Sequence, residues 1–223
     1  MSSARGLFIS FEGTEGSGKS TQMRLLVDRL RGAGLSVIEN QEPGATRIGK
    51  QIRRILLDPS HVEITEMTEL LLMFASRVQA AHEIILPALA RGEIVVTDRF
   101  TDSTLAYQGG AEGIGFETVL QAHRLALGSL MPDLTICLMI DVEKGLARAE
   151  NRNRSSSRDE SEARLDCKPV DFHRRVCESY KKIAQLEPQR FRLIEGDGDP
   201  SVVSERVWAE VRRLIPLNGP VTQ

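Results

Sequence analysis

The chain has few cysteines and a nearly balanced charge, and these two features exclude several structural and functional classes of protein. Its 223 residues include only Cys137, Cys167 and Cys177. An odd number of cysteines without CxxC or His/Cys ligand spacing argues against a disulfide framework and against a zinc site. The formal net charge of −2 gives no broad positive field, so we expect no nucleic-acid partner. Cys137 lies in an apolar run and is expected to be buried.

Long hydrophobic runs are also missing. No run approaches the length of a membrane span, and residues 1–6 lack the apolar stretch of a secretory signal, so we expect no membrane partner and a reducing, cytoplasmic location. Aromatic residues make up only 4% of the chain, but hydrophobic residues together make up 41%, enough for a sizeable core. We expect one domain over residues 1–216 and a disordered tail over 217–223.

Short apolar runs alternate with segments of helical period. Between the first two runs, Leu26 and Leu30 lie one turn apart and Met23 precedes them by another, which predicts a helix. Strands that alternate with helices predict an α/β fold with a five-stranded, mostly parallel sheet flanked by helices. Ligands of such sheets bind beyond the carboxyl ends of the strands. The runs are residues 7–11, 36–38, 94–97, 134–140 and 191–194.

A glycine-rich segment follows the first run directly. Residues 13–20 read GTEGSGKS, which fits the phosphate-binding loop pattern G-x-x-x-x-G-K-[ST] at the start of a helix. Its glycines let the backbone approach a phosphate chain, Lys19 adds a positive charge, and Ser20 is placed to ligate Mg²⁺. The pattern therefore predicts ATP and Mg²⁺ as ligands. The expected nucleotide-binding residues are Gly13, Thr14, Glu15, Gly16, Ser17, Gly18, Lys19, Ser20 and Thr21.

The third run ends in Asp98 and Arg99, at the edge where the phosphate-binding loop lies. The carboxylate of Asp98 can serve Mg²⁺ and the guanidinium of Arg99 can bind a phosphate. A second carboxylate, common in ATPases, does not follow, and the N-K-x-D motif of GTPases is absent from the chain. The pattern favours a kinase, with a surface ion pair between Asp98 and Arg99 as the structural alternative.

Motifs along nearly the whole chain resemble the bacterial form of the thymidylate kinase family. Residues 11–22 read FEGTEGSGKSTQ, like the family's opening, and residues 42–46 read EPGAT, similar to its E-P-G-G-T turn. Residues 69–79 match the helix that contacts thymine, and residues 98–110, DRFTDSTLAYQGG, give the strongest match. The resemblance implies Mg²⁺-dependent transfer of the ATP γ-phosphoryl group to dTMP, by a P-loop nucleoside monophosphate kinase that forms a homodimer.

The resemblance also implies roles for individual residues. Glu15 is expected near the sugar 3′-hydroxyl, Arg99 on the dTMP phosphate and Arg77 on the thymine base. Tyr107 is expected to fill the space of a ribose 2′-hydroxyl. The alternatives are a solvent-pointing Glu15 and a core Tyr107, and Arg53 is as well explained by an exposed helix position. The implied substrate-binding residues are Glu42, Pro43, Arg53, Met73, Arg77, Arg99, Ser103, Thr104, Tyr107 and Gln108.

Three positions depart from the family pattern. Gln41 stands where the family commonly has arginine, and Ala45 replaces a glycine of the turn. Met73 stands where the family usually has a phenylalanine that stacks on the base, and a thioether is a less rigid platform. Phe74, one residue later, should face about 100° away and point into the core.

Residues 148–166 read RAENRNRSSSRDESEARLD, with five arginines and almost no large apolar side chain. A solvated loop is the simple explanation, and a lid over about 148–168 is the functional one. Because the phosphate-binding loop offers only Lys19, we expect a lid arginine to stabilise the transferring phosphoryl group. Arg164 is the first choice, because residues 164–166 resemble the arginine motif of the bacterial family's lid, and Arg152, Arg154 and Arg158 are the alternatives. The expected catalytic residues are Lys19, Arg99, Arg164 and Glu15.

Two later residues and two rival functions complete the expectations. Tyr180 is expected to close over the nucleotide, and His173 to lie on a helix surface. A kinase of a different nucleotide or deoxynucleoside is the nearest rival. A non-catalytic ATP-binding module is the second rival, but it would not need Arg77, Asp98 and Arg99 together with an arginine-rich lid.

Overall fold

The computed structural model describes residues 5–155, residue 164 and residues 168–215, with the backbone alone for 152–155. Most of the predicted lid, residues 156–163 and 165–167, lies outside this part of the chain, as does the predicted tail, 217–223. The first residues of the predicted lid, up to Ser155, continue a helix.

Each predicted strand is present, and the sheet is parallel throughout. The strands are β1 (Phe8–Gly13), β2 (Val37–Gln41), β3 (Ile94–Asp98), β4 (Leu134–Met139) and β5 (Phe191–Glu195). In the described residues they pair in the order β2-β3-β1-β4-β5. The central strand β1 is buried on both faces, which is why Phe8, Ile9 and Phe11 are all apolar. The expectation of a mostly parallel five-stranded sheet is confirmed.

Helices connect the strands and cover both faces of the sheet. Short π-helical segments follow two of them, Ala81–Ile85 after α3 and Leu105–Ala111 after α5. The helices are α1 (Lys19–Gly32), α2 (Arg47–Leu57), α3 (Glu66–Ala80), α4 (Leu86–Ala90), α5 (Thr101–Thr104), α6 (Phe116–Leu127), α7 (Val142–Ser155), α8 (Val170–Leu186) and α9 (Pro200–Val211).

One face of the sheet packs against α1 and α9. The predicted apolar stripe of α1, with Met23, Leu26 and Leu30, is buried in this layer, where Val203 and Val207 of α9 join it. Because the stripe repeats every three to four residues, one side of the helix faces the sheet and the other carries polar residues. This layer anchors the helix that begins at Lys19.

The opposite face packs against α3, α6 and α8. Phe74 of α3 and Cys137 of β4 are buried in this layer, as the sequence predicts. Tyr107 and Tyr180 lie in the same apolar cluster, although their hydroxyl groups reach polar partners. The rings of Tyr107 and Tyr180 are therefore fixed by apolar packing, and this fixes the positions of their hydroxyl groups.

Candidate active site

The loop between β1 and α1 wraps closely against its surroundings. Gly13 and Gly16 both have positive φ angles, 135° and 66°, a region that side chains with a Cβ rarely adopt. A Cβ at Gly13 would lie 2.2 Å from the carbonyl oxygen of Leu138, and one at Gly16 would lie 2.1 Å from that of Gly145. The predicted phosphate-binding loop thus has the backbone conformation that its glycines permit, with α7 packed against its outer side.

Lys19 lies inside this loop and is buried. Its Nζ donates to the carbonyl oxygens of Gly13, at 3.1 Å, and Thr14, at 2.8 Å. Burial lowers the pKa of the ammonium group, and the charge of Arg99 lowers it further, while Glu15 opposes this effect. A phosphate chain in the loop would offer Lys19 stronger, charged acceptors than these carbonyl oxygens.

Ser20 and Asp98 bring two oxygen ligands together beside Lys19. The Ser20 hydroxyl lies 3.4 Å from Oδ2 of Asp98, and Oδ1 of Asp98 is buried without a hydrogen-bond partner. A hydroxyl and a carboxylate suit Mg²⁺, which usually takes one or two protein oxygens and completes its shell with phosphates and water. Among the described residues no group of three or more His, Cys, Asp or Glu side chains could hold a metal alone. The pair fits a nucleotide-bound Mg²⁺.

Arg99 follows β3 in a left-handed backbone conformation, with φ of 71°. A residue with a Cβ pays about 1–2 kcal/mol for this conformation. Hydrogen bonds on both sides hold it: the Arg99 N–H donates to Phe11 O at 2.9 Å, and the Thr97 hydroxyl donates to Arg99 O at 3.0 Å. Such strain persists where the surrounding structure enforces it, often at functional sites.

The Arg99 side chain points across the loop toward Glu15. Its Nη2 donates to the Glu15 carboxylate at 2.8 Å and to the Tyr107 hydroxyl at 3.2 Å. The Tyr107 hydroxyl donates to the same Glu15 oxygen at 3.0 Å, and the guanidinium lies 4.9 Å from the centre of the Tyr107 ring. Glu15 is therefore the counter-ion of Arg99 and does not point into solvent.

Arg77 lies behind this group and is almost fully buried. It donates to the Thr104 hydroxyl at 3.0 Å and sits 5.2 Å from the ring centres of both Phe74 and Phe100. Its Nε is buried without a partner. Because a buried donor normally finds an acceptor, this atom marks a place where a ligand can bind.

The turn after β2 is held by contacts with α2 and α3. The Glu42–Pro43 peptide is cis, and Arg53 donates to Pro43 O at 2.8 Å. The Glu42 carboxylate is buried, accepts from the Ser76 hydroxyl at 3.1 Å and leaves Oε1 without a partner. Burial raises its pKa to about 7, although Arg77 opposes the shift.

Two predicted base-binding residues have protein partners in this structure. Met73 is buried in a small cluster with Leu56 and Leu57 at the contact of α2 and α3. Gln108 donates to Glu69 at 2.5 Å. Ser103 instead joins the Arg99 group, since it accepts from Nη1 of Arg99 at 3.0 Å.

Arg164, the first choice for a lid arginine, does not lie beside Lys19. Its side chain pairs with Glu69 and donates to Leu56 O at 2.6 Å, while its N–H donates to Leu57 O at 3.1 Å. The structure therefore places it at the end of α2. The side chains of the alternatives, Arg152, Arg154 and Arg158, lie outside the described residues.

Sequence reasoning misjudged or missed several residues near the loop. His173 was expected on a helix surface, but it is 1% exposed and packs edge-to-face against Phe172, so that expectation is wrong. Tyr180, which was expected to close over the nucleotide, is fully buried, and its hydroxyl lies 3.5 Å from Nη1 of Arg99. Glu12 was not recognised as a site residue, because its contacts join segments far apart in the chain. Lys144 and Arg148 of α7 both pair with Asp197, next to the phosphate-binding loop's outer side.

Comparison with known proteins agrees with this geometry. A sequence model described as thymidylate kinase matches residues 11–207. The thymidylate kinase of Pelobacter propionicus is 47% identical over 206 residues, which cover 92% of this chain and 94% of that relative. That of Thermomicrobium roseum is 45% identical over 208 residues, covering 93% and 95%. That of a Synechococcus strain is 44% identical over 213 residues, covering 95% and 97%.

The described helices contain no stretch long and apolar enough to cross a membrane. The family match covers the predicted phosphate-binding loop, the turn after β2, Arg99 after β3 and helix α3, whose geometry is described above. The chain belongs to the thymidylate kinase family, and is a nucleoside monophosphate kinase.

Proposed function

We propose that this enzyme transfers the γ-phosphoryl group of ATP to the 5′-phosphate of dTMP in a Mg²⁺-dependent reaction. One group of residues binds the donor ATP and another binds the acceptor dTMP. The observation that carries this assignment is the contact between Arg99 and Glu15. It puts the residue expected to bind the acceptor phosphate directly over the loop expected to bind the donor phosphates. In-line transfer requires that closeness, because donor and acceptor phosphates must meet without intervening water.

On the donor side, the loop binds the triphosphate through its backbone N–H groups and the start of α1. Lys19 exchanges its contacts with Gly13 O and Thr14 O for phosphate oxygens. Ser20 and Asp98 would hold Mg²⁺, which would neutralise charge on the phosphates. Removal of either oxygen ligand should weaken metal-dependent turnover more than it weakens folding.

On the acceptor side, Arg99 binds the dTMP phosphate and Arg77 binds the thymine. Nη1 of Arg99 donates to the Ser103 hydroxyl and Nη2 donates to the Glu15 carboxylate, and these contacts orient the guanidinium. Glu15 is placed to accept from the sugar 3′-hydroxyl. Tyr107, which is buried and donates to Glu15, fills space that a ribose 2′-hydroxyl would need.

No residue is needed as an obligatory general base, because a phosphate nucleophile is already ionised at neutral pH. Charge stabilisation is the main requirement, and an arginine from the lid is proposed to supply what Lys19 and Arg99 do not. If that arginine is Arg164, it must leave Glu69 during the reaction cycle. Arg152, Arg154 and Arg158 are the alternatives.

We also propose a homodimer in the reducing cytoplasm. Four large apolar side chains are exposed on α2 and α3, Ile48, Ile55, Met67 and Leu71. Within each helix the pair lies on one face, seven or four residues apart, which suits a shared interface with a second copy. Buried free thiols at Cys137 and Cys177 fit a reducing compartment. Sedimentation velocity measures the oligomeric state directly.

A coupled assay with a panel of acceptors tests the activity. ADP production is measured with dTMP, dUMP, UMP, AMP and GMP at equal concentrations, with and without Mg²⁺. Preference for dTMP and loss of turnover without metal support the proposal. Preference for AMP, GMP or UMP would indicate a different nucleotide kinase, and absence of turnover with any acceptor would indicate a non-catalytic module.

A further inference from the structure

Glu12 is a fully buried carboxylate near the end of β1. Its Oε1 accepts from the Phe100 N–H at 2.7 Å and lies 3.4 Å from the Ser10 hydroxyl. Its Oε2 accepts from the Tyr180 hydroxyl at 3.2 Å and from the Ser103 hydroxyl. The carboxylate therefore forms hydrogen bonds with the segment that follows β3, with α5 and with α8.

A carboxylate is an unfavourable choice at a fully buried position, because burial of a charge costs free energy unless the charge is hydrogen-bonded or paired. Burial and the charge of Asp102 raise its pKa to about 7, against the opposing effects of Ser103 and Arg99. Glu12 also interacts electrostatically with Lys19, because its charge raises the pKa of the Lys19 ammonium group. A residue needed for packing alone would be apolar, as Phe8 is on the same face of the strand.

The groups bound to Glu12 are also the groups that surround Arg99. The Phe100 N–H belongs to the peptide immediately after the left-handed residue. The hydroxyls of Ser103 and Tyr180 each lie within hydrogen-bond distance of Nη1 of Arg99, at 3.0 and 3.5 Å. Glu12 thus reaches both the backbone and the side chain of Arg99 through shared partners.

The Phe100 contact matters because the left-handed turn needs a fixed peptide on its carboxyl side. The amino side is held by the sheet, through the bond from Arg99 N to Phe11 O. The Thr97 hydroxyl holds the carbonyl oxygen of the Arg99–Phe100 peptide, and Glu12 holds its N–H. Together the two bonds keep the guanidinium facing Glu15, and the carboxylate, when ionised, is a stronger acceptor than a neutral group.

We propose that Glu12 is a positioning residue for phosphoryl transfer, which holds Arg99 in the orientation that the acceptor phosphate requires by binding Phe100, Ser103 and Tyr180. The inference rests on the proposed role of Arg99 in binding dTMP. The hydrogen bonds of Glu12 go to protein groups, so it acts indirectly, mainly through Arg99, to which Ser103 and Tyr180 also bond.

A double-mutant cycle between Glu12 and Arg99 tests this dependence. Glu12→Gln keeps the side-chain shape and one acceptor oxygen, but it removes the charge and turns the other atom into a donor. We expect it to weaken dTMP binding, measured by calorimetry, by about fivefold or more in the wild-type background, and by less than about twofold when Arg99→Ala is present. The KM for ATP should change by less than about twofold, because Arg99 serves the acceptor side.

Gln22→Met is the control, since Gln22 is also buried and polar but bonds to Pro200 O instead of the Arg99 group. Its effect on dTMP binding should be the same with and without Arg99, while thermal unfolding reports any loss of stability. Tyr180→Phe removes one of the shared hydroxyls without removing the ring, and should show the same coupling at smaller size.

The outcomes separate the two claims. If Arg99→Ala leaves dTMP affinity unchanged, the proposed role of Arg99 is wrong. The inference about Glu12 is then wrong as well, because it depends on that role. If Arg99→Ala weakens binding but Glu12→Gln and Tyr180→Phe have equal effects in both backgrounds, Glu12 is structural only and the proposed function stands.

Discussion

The Arg99 guanidinium and the Glu15 carboxylate form an ion pair at 2.8 Å, although 84 residues separate them in the chain. Both side chains are mostly shielded from solvent, and Tyr107 bonds to each. A carboxylate inside a phosphate-binding loop would otherwise repel the ligand. The pair explains how the loop tolerates Glu15, because its charge is balanced by Arg99, the arginine that we propose binds the acceptor phosphate.

Replacement of Lys19 tests the donor side. Lys19→Ala should abolish phosphoryl transfer and leave the fold intact, because the ammonium group contacts only loop carbonyl oxygens among the bonds described. Turnover by coupled assay and thermal unfolding of the ligand-free protein measure the two effects separately. Near-normal turnover would show that the loop does not bind the transferred phosphate.

Met73→Phe tests whether the departure from the family pattern has weakened base stacking. If Met73 lies against the thymine, a ring should hold or lower the KM for dTMP, because aromatic pairing is worth roughly 0.5–1.5 kcal/mol. The control is the KM for ATP, which should not change. A large loss of activity would show that the ring collides with Leu56 and Leu57, and that the cluster has repacked around the methionine.

The lid arginines are tested one at a time. We expect the transition-state arginine to affect turnover more than dTMP binding, and by analogy with arginine fingers its removal can lower kcat by roughly 10³–10⁵. Arg164→Ala is the first variant, followed by the same change at Arg152, Arg154 and Arg158. By contrast, Arg77→Ala and Arg99→Ala should weaken dTMP binding as well. If none of the four lid variants lowers kcat by even about tenfold, the lid is only a cover and the charge argument fails.

The pH dependence of stability tests the buried carboxyl group of Glu42. Its pKa is raised to about 7 from an ordinary value of 4.5, so between these values the folded protein binds more protons than the unfolded one. Its contribution to stability is therefore full below pH 4.5 and is lost as the pH rises through about 7. Glu42→Gln removes this titration.

The measurement compares melting temperatures of ligand-free wild type and variant from about pH 5 to pH 8. Wild type should lose stability relative to Glu42→Gln as the pH rises, by roughly 1.4 kcal/mol for each unit of raised pKa. Glu63→Gln, at an exposed position, should leave the slope unchanged. Parallel curves for wild type and Glu42→Gln would contradict the assignment.

The fold and the phosphate-binding loop could be predicted because each depends on a sequence pattern within one short segment. Apolar runs marked the strands, the spacing of Met23, Leu26 and Leu30 marked α1, and a single motif gave the loop, Lys19 and Ser20. Asp98 was predictable from its place at the end of a strand. These features depend on residues close together in the chain, which a sequence displays directly.

The rest depends on contacts between distant segments. Nothing in the sequence near Glu12 shows that Phe100, Ser103 and Tyr180 converge on it, and a left-handed φ at Arg99 carries no residue signature. His173 was misplaced because a polar residue at the start of a helix usually faces water. Arg164 is bonded to Glu69 here, which only tertiary structure reveals.

The ratio of kcat/KM for dTMP to that for UMP tests the central claim most directly. UMP carries the 2′-hydroxyl that buried Tyr107 should exclude, and it lacks the methyl group of thymine. We predict a preference for dTMP of roughly two or more orders of magnitude, since both differences act against UMP. Equal values for the two nucleotides would contradict the assignment of this site to dTMP.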